Sequence, residues 1–262
     1  MEKFLVALVL SAALAGFAAW RRSLTGAGLA LAFLFSVFIA YFGGVPAFFA
    51  LAFTFFLTAA AGRIFPPRRK KAEELNAKSG RRDAAQIFCN VGTGCAAMAL
   101  YGLSGNEAFF IAFGAAMAAS LSDSMASEIG VLSKRLPRDI LSGKIVPAGL
   151  SGGVSALGFF ASCCGALAVS GVFVVLGGRS APAFFIIFTC GTLAALLDSV
   201  LGALVQGKYR CGVCGKISEK KAHCGVRSEI FSGFSWASND FVNLLNNIFS
   251  AVVAYALWLL VG

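Results

Sequence analysis

Apolar segments long enough to cross a lipid bilayer recur along the whole chain. A helix needs about 20 such residues to span the hydrocarbon layer. Eight segments meet this requirement approximately, and Gly43-Gly44 and Pro46 separate the second from the third; they cover about 4–19, 24–42, the stretch from that break to 61, 84–103, 108–132, 154–176, 183–206 and 237–260. Only 13% of residues are charged, against about 25% in soluble domains. The sequence therefore predicts one all-α, polytopic membrane domain over 1–262 and excludes a soluble globular protein.

The basic residues fall almost entirely on alternate connections between these segments. The connections after the first, third, fifth and seventh segments carry two, eight, four and six Lys or Arg, which is 20 of the 22 in the chain. Because cytoplasmic loops are enriched in Lys and Arg, we expect both termini on the non-cytoplasmic side and cytoplasmic loops at 63–82, 133–153 and 207–234. The net charge of +10 then reflects topology, and we expect no nucleic-acid partner.

Four carboxylates interrupt the apolar segments near their predicted cytoplasmic ends. Asp123 and Glu128 close the fifth segment, Asp198 lies in the seventh, and Asp240 begins the eighth. Charged groups at such depth usually face a cavity or a partner, and four of them at similar depth repel unless they are neutralised. We predict that they bind Mg²⁺ and form the catalytic centre. A proton or cation pathway and simple helix pairing remain alternatives.

Two asparagines accompany these acids. Asn90 lies on one helix face with Asp83, Gln86 and Thr93, and Asn243 follows Asp240 at a similar helical spacing. We predict that Asn90 and Asn243 orient ligand or metal-bound water. Amide side chains also join membrane helices to one another, and this structural role is the alternative, especially for Gln86, Asn246 and Asn247.

A basic, glycine-rich connection follows the fifth segment. Its Lys134, Arg135 and Lys144 are close in sequence to the acids, and Gly152 and Gly153 precede the sixth segment. Glycines permit close backbone approach, and helix N-termini favour anions. We predict that these five residues bind nucleotide phosphates. The connection lacks the Gly-Lys-Ser/Thr ending of a P-loop, and a flexible turn capped by Ser151 is the alternative.

The last polar connection concentrates soft metal ligands. Cys211, Cys214, His223 and Cys224 lie within fourteen residues, and His223 is the only histidine in the chain. Three thiolates and one imidazole suit a closed, structural Zn²⁺ site. A redox pair, or no ligand at all, remains open. The other five cysteines lie in apolar segments, where they are small packing residues.

With these residues in view, the chain resembles the integral-membrane family known as domain of unknown function 92, which includes phytyl-phosphate kinases of plastids. The resemblance extends over roughly residues 80 to 250, and its matching stretches are 82–90, 122–130, 152–158, 197–203, 211–216, 223–225 and 239–243. The chain departs from the family where Asp123 precedes serine instead of threonine, and where Leu150-Ser151 precedes Gly152.

The resemblance implies transfer of a phosphoryl group from a nucleoside triphosphate to an isoprenoid monophosphate. Such transfer uses metal ions and cations to offset phosphate charge, which the acids and the basic connection would supply at the cytoplasmic membrane surface. The expected partners are therefore a membrane isoprenoid phosphate and a nucleoside triphosphate. A cation- or proton-coupled transporter and a lipid cytidylyltransferase are the rival functions.

Overall fold

The computed structural model describes residues 1–63, 72, 74–78 and 80–262. Its helices are α1 (Glu2–Trp20), α2 (Gly26–Ala61), α3 (Ala84–Ser104), α4 (Glu107–Gly130), α5 (Ala156–Val175), α6 (Ala181–Leu204) and α7 (Asn239–Val261). All seven of these helices within the described residues are long and apolar enough to cross a membrane. The prediction of an all-α, polytopic membrane protein is confirmed.

Helix α2 contains the second and third predicted membrane segments. Gly44 interrupts it with φ 68° and ψ −165°, and Pro46 follows within the helix. A straight helix would place Leu29 and Phe55 about 39 Å apart, yet both line one small crevice. The two halves, 26–43 and 45–61, therefore fold back on each other at Gly44. Because this hairpin counts as two segments, the seven helices in the described chain provide eight apolar segments.

Helix α4 is the centre of the bundle. It packs against α2, α3, α5, α6 and α7, and every residue from Phe110 to Ser122 is buried. Glycines on two neighbouring helices allow close crossing: a Cβ on Gly165 would lie 3.1 Å from the backbone of Ser122, and one on Gly191 would lie 2.6 Å from the Cβ of Ala118. Small residues commonly bring membrane helices together in this way.

Buried hydrogen bonds join α4 to the helices around it. The Ser120 hydroxyl donates to the Asn90 carbonyl at 2.6 Å and lies 2.9 Å from Oδ1 of Asn247. The Ser250 hydroxyl donates to the Ala115 carbonyl at 2.9 Å. Asn247, fully buried in α7, also donates to the Cys89 carbonyl at 3.3 Å. The structural role proposed for membrane amides therefore applies to Asn247.

The long connections gather at one end of the bundle, which we call the loop face (residues 21–25, 62–63, 72, 74–78, 80–83, 131–155 and 205–238). Thr25 donates its backbone N–H to the Arg82 carbonyl there at 3.0 Å. At the opposite end, Arg179 pairs with Glu107 and lies over the Phe110 ring. Because α2 is a hairpin, the described parts of all four basic connections lie on the loop face. Residues 64–71, 73 and 79, which include the basic run at 68–71, lie outside the described residues.

Short strands organise two of these connections. They are β1 (Arg138–Asp139), β2 (Gly153–Val154), β3 (Lys208–Arg210), β4 (Ile217–Ser218), β5 (Ala222–His223), β6 (Val226–Arg227) and β7 (Glu229–Ser232). Strand β1 pairs with β2, β5 pairs with β6, and β3 lies between β4 and β7, all antiparallel. Sequence analysis predicted only loops here, because strands of two to four residues leave no periodic pattern.

Candidate functional site

A polar cavity of about 660 Å³ lies beneath the loop face. It is walled by the ends of α3 to α7 and by the connections above them. Eight of the eleven residues predicted to bind magnesium or substrate line it: Asn90, Asp123, Glu128, Gly152, Gly153, Asp198, Asp240 and Asn243. Residues separated by more than 150 positions in the sequence thus converge on one space.

The carboxyl groups of Asp123 and Asp198 are the innermost charged pair of this cavity. They come from α4 and α6 and lie within hydrogen-bonding distance of each other. Asn243 on α7 donates to Oδ1 of Asp198 at 3.2 Å once its amide nitrogen is turned toward that oxygen. Two carboxyl groups in contact require a shared proton or a cation between them. Two helices, α4 and α6, therefore bring carboxyl oxygens to one point, and α7 places an amide donor beside them.

Asp240 pairs with a lysine at the rim of the cavity, and its binding of magnesium stays a prediction. Its carboxylate accepts a hydrogen bond from Lys78 at 2.6 Å, and Lys78 also donates to Asp83 at 2.7 Å. Asp83 caps α3 through a capping box with Gln86, and the hydrogen bond from Lys78 holds its pKa below the usual range. Lys78 thus ties the start of α3 to the start of α7 at the cavity rim.

The positive charge at the cavity comes from Lys78, Arg82 and Arg138, all of which line it. The N-termini of α3, α5 and α7 also open onto it, and a helix N-terminus attracts anions through free N–H groups. Arg82 lies close enough to Asp123 for their charges to interact. The cavity therefore presents both carboxylates for a cation and positive groups for an anion.

Lys134, Arg135 and Lys144 are exposed and lie outside the lining of the cavity. In the pairing of β1 with β2, Arg138 lies opposite Val154. The residues just before β1 and the turn just after β1 lie on the outer surface. Their predicted contact with nucleotide phosphates stays a prediction, and the geometry assigns the nearer positions to other cations.

The glycines of the connection between α4 and α5 have a packing role that the sequence did not reveal. Gly152 adopts φ +86°, and a Cβ there would lie 2.7 Å from the Cα of Ala203 on α6. Gly149 adopts φ +92°, and its Cβ would lie 2.8 Å from the Cα of Ala72. The connection is therefore pressed against α6, which fixes the cavity wall.

Glu219 is a cavity residue that sequence analysis missed. Its side chain is 7% exposed and accepts a hydrogen bond from the Ser151 hydroxyl. Burial raises its pKa, and burial lowers the pKa of nearby Lys208. Both are charged residues in a polar connection, so nothing in the local sequence distinguishes them from ordinary surface charges.

An apolar crevice of about 80 Å³ adjoins the polar cavity. It lies between α1, the two halves of α2, and α3. Its walls are largely hydrocarbon side chains, including Leu14, Leu29 and Phe55. Four residues line both spaces, and these are Arg82, Gln86, Asn90 and Ser124. The two spaces therefore meet along the first turns of α3.

The four predicted zinc ligands form a compact cluster. The Sγ atoms of Cys211, Cys214 and Cys224 and a ring nitrogen of His223 all lie within 4.8 Å of one another. His223 Nδ1 is 3.3 Å from Sγ of Cys214 and 3.2 Å from Sγ of Cys224. Backbone N–H groups of the Cys211 turn lower the pKa of its thiol to about 6, which favours the thiolate that metals bind.

Comparison with known proteins identifies a matching family and similar proteins. The family described as "Integral membrane protein DUF92" matches residues 9–251. "Protein VTE6, chloroplastic" of Arabidopsis thaliana is 25% identical over 236 residues, which are 88% of this chain and 64% of that protein. "Protein PGR" of Arabidopsis thaliana is 26% identical over an alignment of 273 positions, which covers 93% of this chain and 92% of that protein. The chain thus spans less than two thirds of the first of these relatives. No solved structure matches it.

Proposed function

The chain belongs to the integral-membrane family DUF92, and we propose that it is a magnesium-dependent kinase of isoprenoid monophosphates. The observation that carries the proposal is the junction of the two spaces, where a polar cavity with carboxylates and cations meets an apolar crevice. A lipid phosphate has the same division between a charged head and a hydrocarbon tail. Resemblance to a family that includes phytyl-phosphate kinases supports the same substrate class.

The residues at the cavity floor fit a magnesium ion. Mg²⁺ prefers oxygen ligands and is usually held by one or two carboxylates together with phosphate and water. Asp123 and Asp198 would hold it, because their carboxyl groups already lie together and a cation between them would take the place of a shared proton. Glu128 lines the same cavity, close enough to Asp123 for their charges to interact. When bound, magnesium would offset the charge of the phosphates.

The substrate phosphates would lie between this floor and the loop face. Arg82 stands at the junction with the crevice and suits the acceptor monophosphate, because a guanidinium matches phosphate geometry. Arg138, Lys78 and the N-terminus of α5 would receive the nucleotide. An acceptor oxygen would form a bond to the γ-phosphorus as the bond from that phosphorus to the bridging oxygen breaks. Nucleoside diphosphate leaves, and the anionic acceptor needs no separate base.

The hydrocarbon tail of the acceptor would bind in the crevice. Its lining side chains come mainly from α1, α2 and α3, and α4 adds Met117, Ser120 and Ser124. A long isoprenoid would enter it directly from the bilayer, and its partition from water into that bilayer contributes about 0.8 kcal/mol per CH₂ group. We therefore propose that long acceptors are preferred over short ones. The basic connections on the loop face further support a cytoplasmic cavity.

A product assay tests this function. Purified protein in detergent receives Mg²⁺, each nucleoside triphosphate in turn, and phytyl, farnesyl or dimethylallyl monophosphate. We expect prenyl diphosphate and nucleoside diphosphate, with the two longer acceptors turned over faster. Asp123→Asn should reduce the rate at least about 100-fold, because it removes a ligand of the magnesium that would offset the phosphate charge in the transition state.

Asp139→Asn is the matched control, because Asp139 lies outside the cavity lining and its carboxylate accepts hydrogen bonds from the turn that follows it. It should retain the wild-type rate. A nucleotidyl lipid with pyrophosphate would contradict the kinase and favour nucleotidyl transfer. Folded protein that turns over none of these acceptors, or an active Asp123→Asn variant, would also contradict the proposal.

A further inference from the structure

The connection between α6 and α7 lacks a hydrophobic core of its own. Its strands are two to four residues long, and Val213, Val226, Ile230 and Phe231 are exposed by 41% to 66%. Apolar burial therefore supplies little stability to this segment. Small domains of this kind are usually held by disulfides or by a metal, and all eight cysteines of the chain are free thiols.

Two turns bring the four soft ligands together. The Cys211 turn closes with a hydrogen bond from the Gly215 N–H to the Cys211 carbonyl at 2.9 Å, and Gly215 adopts φ +70°. The β5–β6 turn holds Cys224 at φ +52°, a left-handed conformation that is uncommon for residues with a side chain. That conformation places the Cys224 thiol beside the ring of His223 and opposite the first turn.

The separations within the cluster suit one tetrahedral ion. Zinc with Zn–S bonds of about 2.3 Å and Zn–N bonds of about 2.0 to 2.1 Å places its ligand atoms about 3.6 to 3.8 Å apart. The four ligand atoms all lie within 4.8 Å of one another. Three thiolates and an imidazole favour zinc over the hard cations that carboxylates bind. The ligand set also fills all four positions, which is typical of a structural site.

The cluster is connected directly to the polar cavity. Strand β4 starts three residues after Cys214 and leads into Glu219, whose side chain lines the cavity. The Glu219 N–H donates to the Leu75 carbonyl at 2.8 Å, and Lys216 binds Glu74 at 3.1 Å. Residues 74–78 then end in Lys78, which pairs with Asp83 and Asp240. A fixed cluster therefore holds two polar side chains at the cavity.

We propose that Cys211, Cys214, His223 and Cys224 bind one structural Zn²⁺ that clamps the 207–234 connection onto residues 74–78. The ion holds Glu219 and Lys78 in the wall of the cavity without touching substrate. This assignment stands on the ligand geometry and does not depend on the kinase activity.

Metal analysis of the purified full chain tests the site. The protein is prepared without chelator or added metal, and its metal content and thiol state are measured by mass spectrometry. We expect one zinc per chain and Cys214→Ser to lose it. Cys163→Ser, a change in the α5 membrane helix, should keep it. Cobalt exchanged into the wild type should give the visible absorption of a tetrahedral thiolate complex.

Hydrogen exchange tests the clamp separately. Zinc removal should speed amide exchange at least about tenfold in peptides covering 74–78 and 216–222, and leave the interior of α4 unchanged. Cys224→Ser, which removes a ligand from the other turn, provides a second variant if Cys214→Ser does not fold. Zinc-free protein with free thiols, a Cys211–Cys214 disulfide, iron in place of zinc, or unchanged exchange after zinc removal would each overturn the proposal. None of these readouts requires turnover.

Discussion

Gly152 occupies a position that leaves no room for a side chain. Its φ of +86° is strained for any L residue, and its missing Cβ faces the backbone of Ala203 on α6. The close approach places the connection that carries Ser151 against the cavity. Glu219 then reaches Ser151 from the other side. A single glycine therefore determines where two elements of the cavity wall meet.

Gly152→Ala should lower the thermal stability of the protein. Inserting a methyl group at a tight backbone contact costs about 1–3 kcal/mol, in addition to the strain of positive φ. Gly143→Ala is the control, because Gly143 has φ +67° and open space around its Cβ position. Melting in detergent, followed by tryptophan fluorescence, should show the larger decrease for Gly152→Ala. Equal decreases would mean that the contact with α6 contributes nothing.

At the scale of the elements, the sequence predicts the two halves of helix α2 as separate membrane segments. The sequence indicated a break at Gly43-Gly44 and Pro46, and the structure bends there, at Gly44. Gly44 combines φ 68° with ψ −165°, a region that essentially only glycine occupies. The fold-back closes the apolar crevice and keeps the basic connections on one face.

Gly44→Ala should therefore destabilise the hairpin by about 1–3 kcal/mol, the cost of a residue held in a sparsely allowed conformation. Gly16→Ala is the matched change, because Gly16 lies inside α1 with nothing within 4 Å of its Cβ position. Alanine favours a helix interior over glycine, so this control should melt at or above the wild-type temperature. Similar melting of the two variants would contradict the proposed strain at Gly44.

The helices and the acids were predictable from local sequence, whereas the cavity rim was not. Membrane thickness fixes helix length, so the predicted segment 183–206 corresponds to α6 at Ala181–Leu204. A carboxylate within an apolar run is equally easy to notice, as Asp198 shows. Lys78 and Glu219 lie among many polar residues, and only contacts with distant segments place them at the cavity. For the same reason, closeness in sequence to Glu128 predicted a phosphate-binding role for Lys134, which is exposed.

At the scale of the whole molecule, the hairpin at Gly44 determines on which side each end of the chain lies. Eight crossings return the C-terminus to the side of the N-terminus, and the loop face lies opposite both. With α2 as a single crossing, the basic connections would be divided between two faces. The distribution of charge and the bend in α2 therefore support the same orientation.

Labelling of introduced cysteines in intact cells tests this orientation. An impermeant thiol reagent should modify Ser104→Cys, near the turn between α3 and α4, but not Ser142→Cys, on the exposed turn after β1. Permeabilised cells should show modification of both, read as labelled peptides by mass spectrometry. Modification of Ser142→Cys in intact cells, with Ser104→Cys protected, would reverse the proposed orientation and place the cavity outside the cytoplasm.

The central position of α4 has a consequence for how the protein is made. A ribosome releases α4 before α5, α6 and α7, the three helices that cover most of its surface. Until they arrive, Ser122 lacks its partner carbonyl on Ser162, and the Ala115 carbonyl lacks the Ser250 hydroxyl. Helix α7 therefore completes the bundle, and a nascent chain that stops before α7 would expose its most buried element to membrane quality control.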